Sequence, residues 1–386
     1  MEIPFNKPYV VGSEQYAIEK VITSRKLSGN GAFTKKVHQW FIKKYNFQKV
    51  LLTTSCTDAL EMAALAIDIK KDDEIIIPSY TFVSTANAFA LQGAKIVFAD
   101  SRTDHPGIDE DRIEALITPK TKAIVVVHYA GVSVDFIKIQ SIIKKYNLIL
   151  IEDAAQAIDS FYYDQEGNKT ALGSYGDFAT FSFHETKNIN CGEGGLLVVN
   201  NLTYSKIIET IWEKGTNRSS FFRGEIDKYG WVSKGSSFLP SEIIAAFLYE
   251  QLKNLEDIQQ KRINIWESYY RGIEKIEQEF ELDIKPRIPH YAHNNAHMFY
   301  LILRSNTERD ALMEHLKSNG IHAVFHYQSL HKSSFAIKNK WDSGKLLNSD
   351  KYTDLLLRLP LFPELVDVEF ILNQIKLFFE NQRTLK

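Results

Sequence analysis

An amine that attacks a carbonyl and then moves a proton needs a lysine held near backbone that a ligand can approach, and Lys187 is placed that way. It follows the alternating apolar and small residues 178–183, which predict a buried strand, and it precedes Gly192, Gly194 and Gly195. Hydroxyls at Ser182 and Thr186 flank it. The pattern suits a Schiff-base lysine; a solvated loop lysine is the ordinary alternative.

A second stretch, Leu148-Ile-Leu-Ile-Glu-Asp-Ala-Ala-Gln156, weighs on that choice. Its aliphatic run predicts a strand buried on both faces, which delivers Glu152, Asp153 and Gln156 to the sheet edge where α/β proteins bind ligands. Pyridoxal phosphate acts as an electron sink when its ring nitrogen stays protonated, and an aspartate is a suitable partner for that nitrogen. Asp153 can equally cap a following helix. Further upstream, Thr53-Thr-Ser-Cys-Thr-Asp-Ala-Leu60 opens an alanine-rich helix over 59–67. Its first-turn amides at Cys56 and Thr57 can hold a phosphate, or Ser55 or Thr57 can serve as a cap. In either case Asp58 is expected to face away from a bound anion.

The elements that position these residues alternate along the chain. Strands are expected at 50–52, 74–77, 95–99, 123–128, 148–152, 178–183 and 195–200, with helices at 15–24, 34–46, 136–146 and 204–213. That order predicts an α/β protein with a large, mainly parallel sheet and right-handed crossovers. Lys187 then falls on a strand-to-strand connection. A helix from 242 to about 262 leads into a region of long helices with strands at 298–303 and 323–326, so residues 1–249 and 250–386 read as a large domain and a smaller α+β domain.

The sequence has 386 residues, 44% apolar and 24% charged, with a formal charge of -2, which gives no overall basic field for nucleic acid. Two cysteines, Cys56 and Cys191, form neither a disulfide framework nor a metal set. His326, Tyr327 and His331 cluster without metal spacing, so no metal is expected. The first residues do not resemble a signal peptide, and no apolar run reaches membrane-spanning length. A cytoplasmic protein with no membrane partner is the expectation. Arg218 and Arg223 can each pair with a diphosphate or a carboxylate, or lie on a solvated face. A dinucleotide dehydrogenase is disfavoured because no Gly-x-Gly-x-x-Gly follows the first strand.

The segments Asp153-Ala-Ala-Gln156, Ser182-Phe-His-Glu-Thr-Lys187, Lys214-Gly-Thr-Asn-Arg218, Phe221-Phe-Arg-Gly224, Asn295-Ala-His-Met-Phe-Tyr300 and Val324-Phe-His-Tyr327 resemble those of the nucleotide-sugar aminotransferases. The similarity spans nearly the whole chain. It implies the aspartate-aminotransferase-like fold (fold type I) and pyridoxal 5'-phosphate, with pyridoxamine 5'-phosphate as its aminated form. Lys187 would be the catalytic lysine. Cys56, Thr57 and Ser182 would hold the phosphate, Phe82 would stack on the ring, Asp153 would meet the ring nitrogen and Gln156 the ring oxygen. Many relatives carry asparagine where Ser237 stands, reaching the partner subunit's phosphate; Ser237 would make a shorter contact with that phosphate here. His184, Arg218, Arg223, His326 and Tyr327 would face substrate, although His184 by itself reads equally as a packed histidine. The resemblance further implies a homodimer with active sites at the subunit interface. It also implies L-glutamate as donor and dTDP-4-keto-6-deoxy-D-glucose as acceptor, in synthesis of a surface glycan such as enterobacterial common antigen or the O-antigen of lipopolysaccharide. Rivals are a transaminase forming the equatorial 4-amino or a 3-amino sugar, a dehydratase, in which histidine replaces the lysine, and a non-catalytic ligand-binding regulator.

Overall fold

The structure, a computed structural model, describes residues 2–341 and 343–384. Residues 1, 385 and 386, at the ends of the two expected domains, lie outside that range. Runs of aliphatic residues form a seven-stranded sheet. Its strands are β1 (Val50–Thr53), β2 (Glu74–Pro78), β3 (Lys95–Ala99), β4 (Thr121–Val127), β5 (Ile149–Asp153), β8 (Phe178–Ser182) and β9 (Gly195–Val199), in the spatial order β1-β9-β8-β5-β4-β2-β3. The neighbours from β3 across to β8 pair in parallel, while β9 runs antiparallel to β8 and β1. Ile75, Ile76, Ile77 and residues 123–126 are wholly buried, as strands covered by helices on both faces require. The mixed, mainly parallel sheet expected from the sequence is therefore present. A small hairpin of β6 (Phe161–Tyr163) and β7 (Lys169–Ala171), turning at Gly167 (φ +82°), had no counterpart among those expectations.

Because successive residues of a strand point to opposite faces, the adjacent carboxylates Glu152 and Asp153 go to different places. Glu152 turns into the protein, accepts from the backbone amides of Gly173 (2.8 Å), Tyr175 (2.7 Å) and Gly176 (2.6 Å), and pairs with His128 Nε2 at 2.9 Å. It is a structural anchor. Asp153 points to the sheet's carboxyl edge, where Thr81, Phe82 and Ser182 also lie.

A second hydrophobic core gathers around the helices Leu255–Phe280, Asn306–Ser318 and Val368–Thr384 and the antiparallel pair β10 (Phe299–Ile302) and β11 (Leu356–Leu359). Two expectations need correction here. The helix beginning at Glu242 is not continuous: Glu242–Lys253 ends and Leu255–Phe280 begins at Asn254 (φ -107°, ψ 12°), whose amide side chain bonds the Glu250 carbonyl at 2.9 Å. Residues 323–326 make no strand either. Only Val324 bridges to Arg358 on β11, and Phe325, His326 and Tyr327 leave the sheet, the last two to line the cavity described below. No helix among the described residues is long and apolar enough to cross a membrane.

The N-terminal arm is fixed by a buried carboxylate. Glu242 accepts from the amides of Gly31 (3.0 Å), Phe33 (2.7 Å) and Thr34 (3.0 Å), and so caps the helix Ala32–Tyr45, which has no capping side chain of its own. Replacing it by alanine strands those donors in a buried setting. Glu242→Ala is expected to lose about 3 kcal/mol of stability, read as a lower urea midpoint at unchanged slope. A loss below about 1 kcal/mol would mean the amides find other partners.

Candidate active site

A cavity of about 590 Å³ opens at the carboxyl edge of β5 and β8, with β11 and the 326–327 segment as its opposite wall. Lys187 enters from the β8–β9 connection. That connection is tied at Phe183 N to Gly194 O (2.8 Å), Cys191 N to Phe183 O (2.9 Å), Glu185 N to Gly192 O (2.9 Å) and Lys187 N to His184 O (2.9 Å). Gly192 supplies the positive φ (+78°) that this tight path needs. Gly195 is required for a different reason: a Cβ there would lie 2.3 Å from the Ser55 carbonyl, so only glycine lets β9 run against the start of the helix Cys56–Ala66.

Lys187 Nζ makes no hydrogen bond or ion pair among the described residues. Burial pulls its pKa below the ordinary lysine value, opposed by Cys56 and Asp153 and assisted by Arg358. Asp153, itself buried, accepts from Thr85 Oγ1 (2.7 Å) and the Ala155 amide (3.1 Å) but has no cation within ion-pair distance among the described residues. Burial raises its pKa above the usual carboxylate range, only partly countered by those hydrogen bonds and by Lys187 and His128.

The helix start is arranged for an anion. Ser55 caps it by accepting from the Asp58 amide at 3.0 Å, Asp58 is drawn back onto the Thr54 hydroxyl, and the first-turn amides of Cys56 and Thr57 remain for a ligand. Thr57 Oγ1 pairs with Ser84 Oγ at 2.8 Å, and Ser182 lies nearby in the same wall. Phe82 stands 55% exposed although it lines a cavity. Across from it, Tyr327 accepts from Gln156 Nε2 at 2.9 Å and stacks on His326 at 3.5 Å, while Gln156 Oε1 accepts from the Ala130 amide at 2.6 Å. His326 Nδ1 meets the Tyr129 hydroxyl at 2.7 Å, and burial holds its ring neutral. His184 sits at the mouth, bonded through Nδ1 to Thr186 Oγ1 at 2.9 Å.

The residues present fit pyridoxal phosphate. Asp153 lacks the cation that a protonated ring nitrogen would bring, Phe82 presents a bare aromatic face, the helix start and Ser182 can take the phosphate, and Lys187 has an uncommitted amine.

Of the sequence-derived candidates, Cys56, Thr57, Phe82, Asp153, Gln156, Ser182, His184, Lys187, His326 and Tyr327 share this cavity. Ser237, Arg218 and Arg223 do not. Ser237 is exposed, Arg218 lies over the Phe222 ring (5.0 Å), and Arg223 pairs with Glu209 (2.9 Å) and Glu225 (2.7 Å). Residues that the sequence analysis gave no site role also line the cavity, among them Phe5, Asn6, Arg262, Arg358 and His297, the last within the quoted 295–300 segment. Arg358 carries no carboxylate partner among the described residues. Its Nη2 donates to Phe325 O at 3.1 Å, its guanidinium lies 4.6 Å from the Phe5 ring, and its Nε is buried without a partner. Arginine amid leucines on a short strand was the available signal.

The fold and this constellation define a pyridoxal-phosphate-dependent aminotransferase. The chain belongs to the DegT/DnrJ/EryC1/StrS aminotransferase family, whose sequence profile matches residues 9–375. Among similar structures, Helicobacter pylori PseC, an aminotransferase involved in the biosynthesis of pseudoaminic acid, is 25% identical, with 99% of this chain and 100% of that one covered at a TM-score of 0.87. DesV of S. venezuelae is also 25% identical, covering 98% and 99% at 0.86. A sugar-aminotransferase structure from Streptococcus pneumoniae in its PMP form is 24% identical, covering 100% and 99% at 0.89.

The raised Asp153 pKa has a signed consequence. A carboxyl more easily protonated folded than unfolded destabilises the fold when ionised, and the penalty is relieved as pH falls toward the folded pKa. Cofactor-free Asp153→Asn is therefore expected to melt above cofactor-free wild type at pH 8, with the gap narrowing as pH falls to about 4. Differential scanning calorimetry across that range checks it; a variant that melts lower at pH 8 would contradict it.

Proposed function

We propose that this protein transfers the amino group of L-glutamate to C4 of dTDP-4-keto-6-deoxy-D-glucose, giving dTDP-4-amino-4,6-dideoxy-D-galactose. The observation that carries the reading is the joint presence of Lys187 and Asp153 in one cavity. A dehydratase of this family has histidine in place of the lysine, and a ligand-binding regulator has no need of either residue. The particular sugar rests on the resemblance of the 182–188, 214–218, 221–224, 295–300 and 324–327 segments.

In this reading the Lys187 amine would hold the cofactor at its carbonyl carbon and, when free, would carry a proton to or from the reacting carbon of the substrate. Its lowered pKa favours the free amine that both tasks need. Asp153 would keep the ring nitrogen protonated, Phe82 would cover one ring face, and the amides of Cys56 and Thr57 with Ser182 would hold the phosphate. Gln156 has one amide hydrogen left after its bond to Tyr327, which suits a ring oxygen. Bound there, the cofactor supplies an electron sink for the carbanion at the donor carbon. Arg358, which has no carboxylate partner among the described residues, would offer its guanidinium to a carboxylate of the donor, and His184, His326 and Tyr327 would contact substrate.

Arg218, Arg223 and Ser237 enter this reading through a second copy of the chain. They lie on a surface segment where Phe222 is 67% and Trp231 83% exposed, which supports a homodimer that covers it and contributes these residues to the partner's cavity. We assign residues 1–249 and 250–386 to a large and a small domain. A cytoplasmic enzyme acting on the nucleotide sugar ahead of lipid-linked glycan assembly fits these features.

Proton NMR of the product made from L-glutamate and the keto sugar tests the reading. A small H3–H4 coupling, meaning an axial C4 amine, is expected; a large coupling reverses the stereochemistry, and no C4 amine removes the assignment. Lys187→Ala is expected to retain cofactor while turnover falls by about 10³-fold or more. Steady-state turnover near wild type by that variant would remove the lysine from the mechanism.

A further inference from the structure

His297 is buried, lines the cavity, and has one ring nitrogen whose state the structure fixes. Asn188, the residue after Lys187, directs its Nδ2 at two acceptors, Gln259 Oε1 (2.8 Å) and the Asn295 carbonyl (2.9 Å). A backbone carbonyl only accepts, so the orientation of the Asn188 amide follows, and its Oδ1 must be the atom facing His297 Nδ1 at 2.8 Å. That oxygen also only accepts. The proton of the neutral ring therefore resides on Nδ1, and Nε2 is left with a bare lone pair.

Everything around the ring preserves this state. Burial first, and then the charges of Lys187, Arg262 and Arg358, oppose a second proton and hold the pKa well below the ordinary histidine value. Arg262 donates to the carbonyls of Ala296 (3.1 Å) and His297 (2.7 Å), and Asn295 Oδ1 accepts from the His297 amide (3.0 Å), so the backbone carrying the ring is pinned. Nε2 itself makes no hydrogen bond among the described residues. Lys187 Nζ, which lines the same cavity and has no bonded partner among the described residues, does not donate to it. The acceptor stands ready for a ligand.

We propose that His297 Nε2 is the acceptor for a ring hydroxyl of the sugar substrate, and so a specificity-determining binding residue. The inference rests on the keto-sugar reading above. Of the two reactants, L-glutamate presents carboxylates, which are acceptors and find nothing at a bare lone pair, and an amine committed to the exchange itself. The sugar presents hydroxyls beside the reacting ketone, and a buried hydroxyl without an acceptor is strongly disfavoured.

Asparagine separates the two ends of the ring, because its amide nitrogen can stand in for Nδ1–H toward Asn188 while nothing replaces Nε2. His297→Asn is expected to keep the wild-type melting temperature and cofactor retention, whereas His297→Leu loses both the latch and the acceptor. In the asparagine variant the KM for the keto sugar should rise about tenfold or more, with the glutamate half-reaction changed by less than about twofold. A 15N-histidine spectrum gives an independent readout: the Nε2 resonance should have the position of an unprotonated nitrogen and move on adding the sugar nucleotide but not L-glutamate. An unmoved resonance in protein that does bind the sugar, or an unchanged KM, overturns the assignment. Equal slowing of both half-reactions would instead place the acceptor on Lys187. A wild-type protein that takes no keto sugar while still exchanging amine with glutamate overturns the proposed acceptor and this assignment with it.

Discussion

A carboxylate withdrawn from water without a cation beside it is held at a cost, and Asp153 is such a group at the centre of this molecule. The strand that carries it is buried from Leu150 onward, its two hydrogen bonds from Thr85 and the Ala155 amide fix its direction, and its neighbour Glu152 is spent on the backbone beneath. Among the described residues no cation lies within ion-pair distance of Asp153. The same cavity carries an aromatic face at Phe82, the helix start at Cys56 and Thr57, and an amine at Lys187.

These groups come from separate stretches of chain, and their mutual placement depends on a buried polar network. Asn188 is bonded to His297, Gln259 and the Asn295 carbonyl, and Asn295 Nδ2 donates to the carbonyls of Gln156 and Ile158, each at 2.8 Å. The lysine loop and the aspartate loop are thereby fastened to the same short segment. Gly131 packs so closely on it that a Cβ would lie 2.0 Å from Asn295 Oδ1. A network of this kind gains from being complete, because any unpaired member is buried in a medium that penalises it. On the far wall, the N-terminal arm bridges the two cores: Ile3 bonds to Gly320 O and His322 N, and Asn6 donates to the Glu185 carbonyl at 3.3 Å.

The sequence was most readable where function coincides with a strand end. The aliphatic run before Asp153 and the alternating apolar and small residues before Ser182 announced the sheet and its ligand-bearing edge, and the glycines after Lys187 marked a close backbone approach that Gly195 realises against Ser55. Short-range chemistry predicted the turned-back Asp58 for the same reason. Long-range placement was not readable. Arg358 and His297 reach the cavity because β10 and β11 pack against the helices of the second core, a relation that no local spacing encodes. The segment 323–326 has strand-like residues but only one bridging neighbour, and the break at Asn254 interrupts an apolar pattern that continues through it as Leu252, Leu255 and Ile258. Arg218, Arg223 and Ser237 were legible as motif residues, yet their position on an exposed segment gives them a role only if another copy of the chain meets it.

The most direct test is a 13C NMR titration of the Asp153 carboxyl, assigned by its loss in a substituted protein, with and without pyridoxal phosphate. Without cofactor the carboxyl should titrate above the ordinary aspartate range, because burial is only partly opposed by its hydrogen bonds and by Lys187 and His128. On loading, its apparent pKa should fall as the protonated ring nitrogen pairs with it. A pKa that stays put or rises on loading would mean that Asp153 does not meet the ring nitrogen, and the account of the site would have to be abandoned.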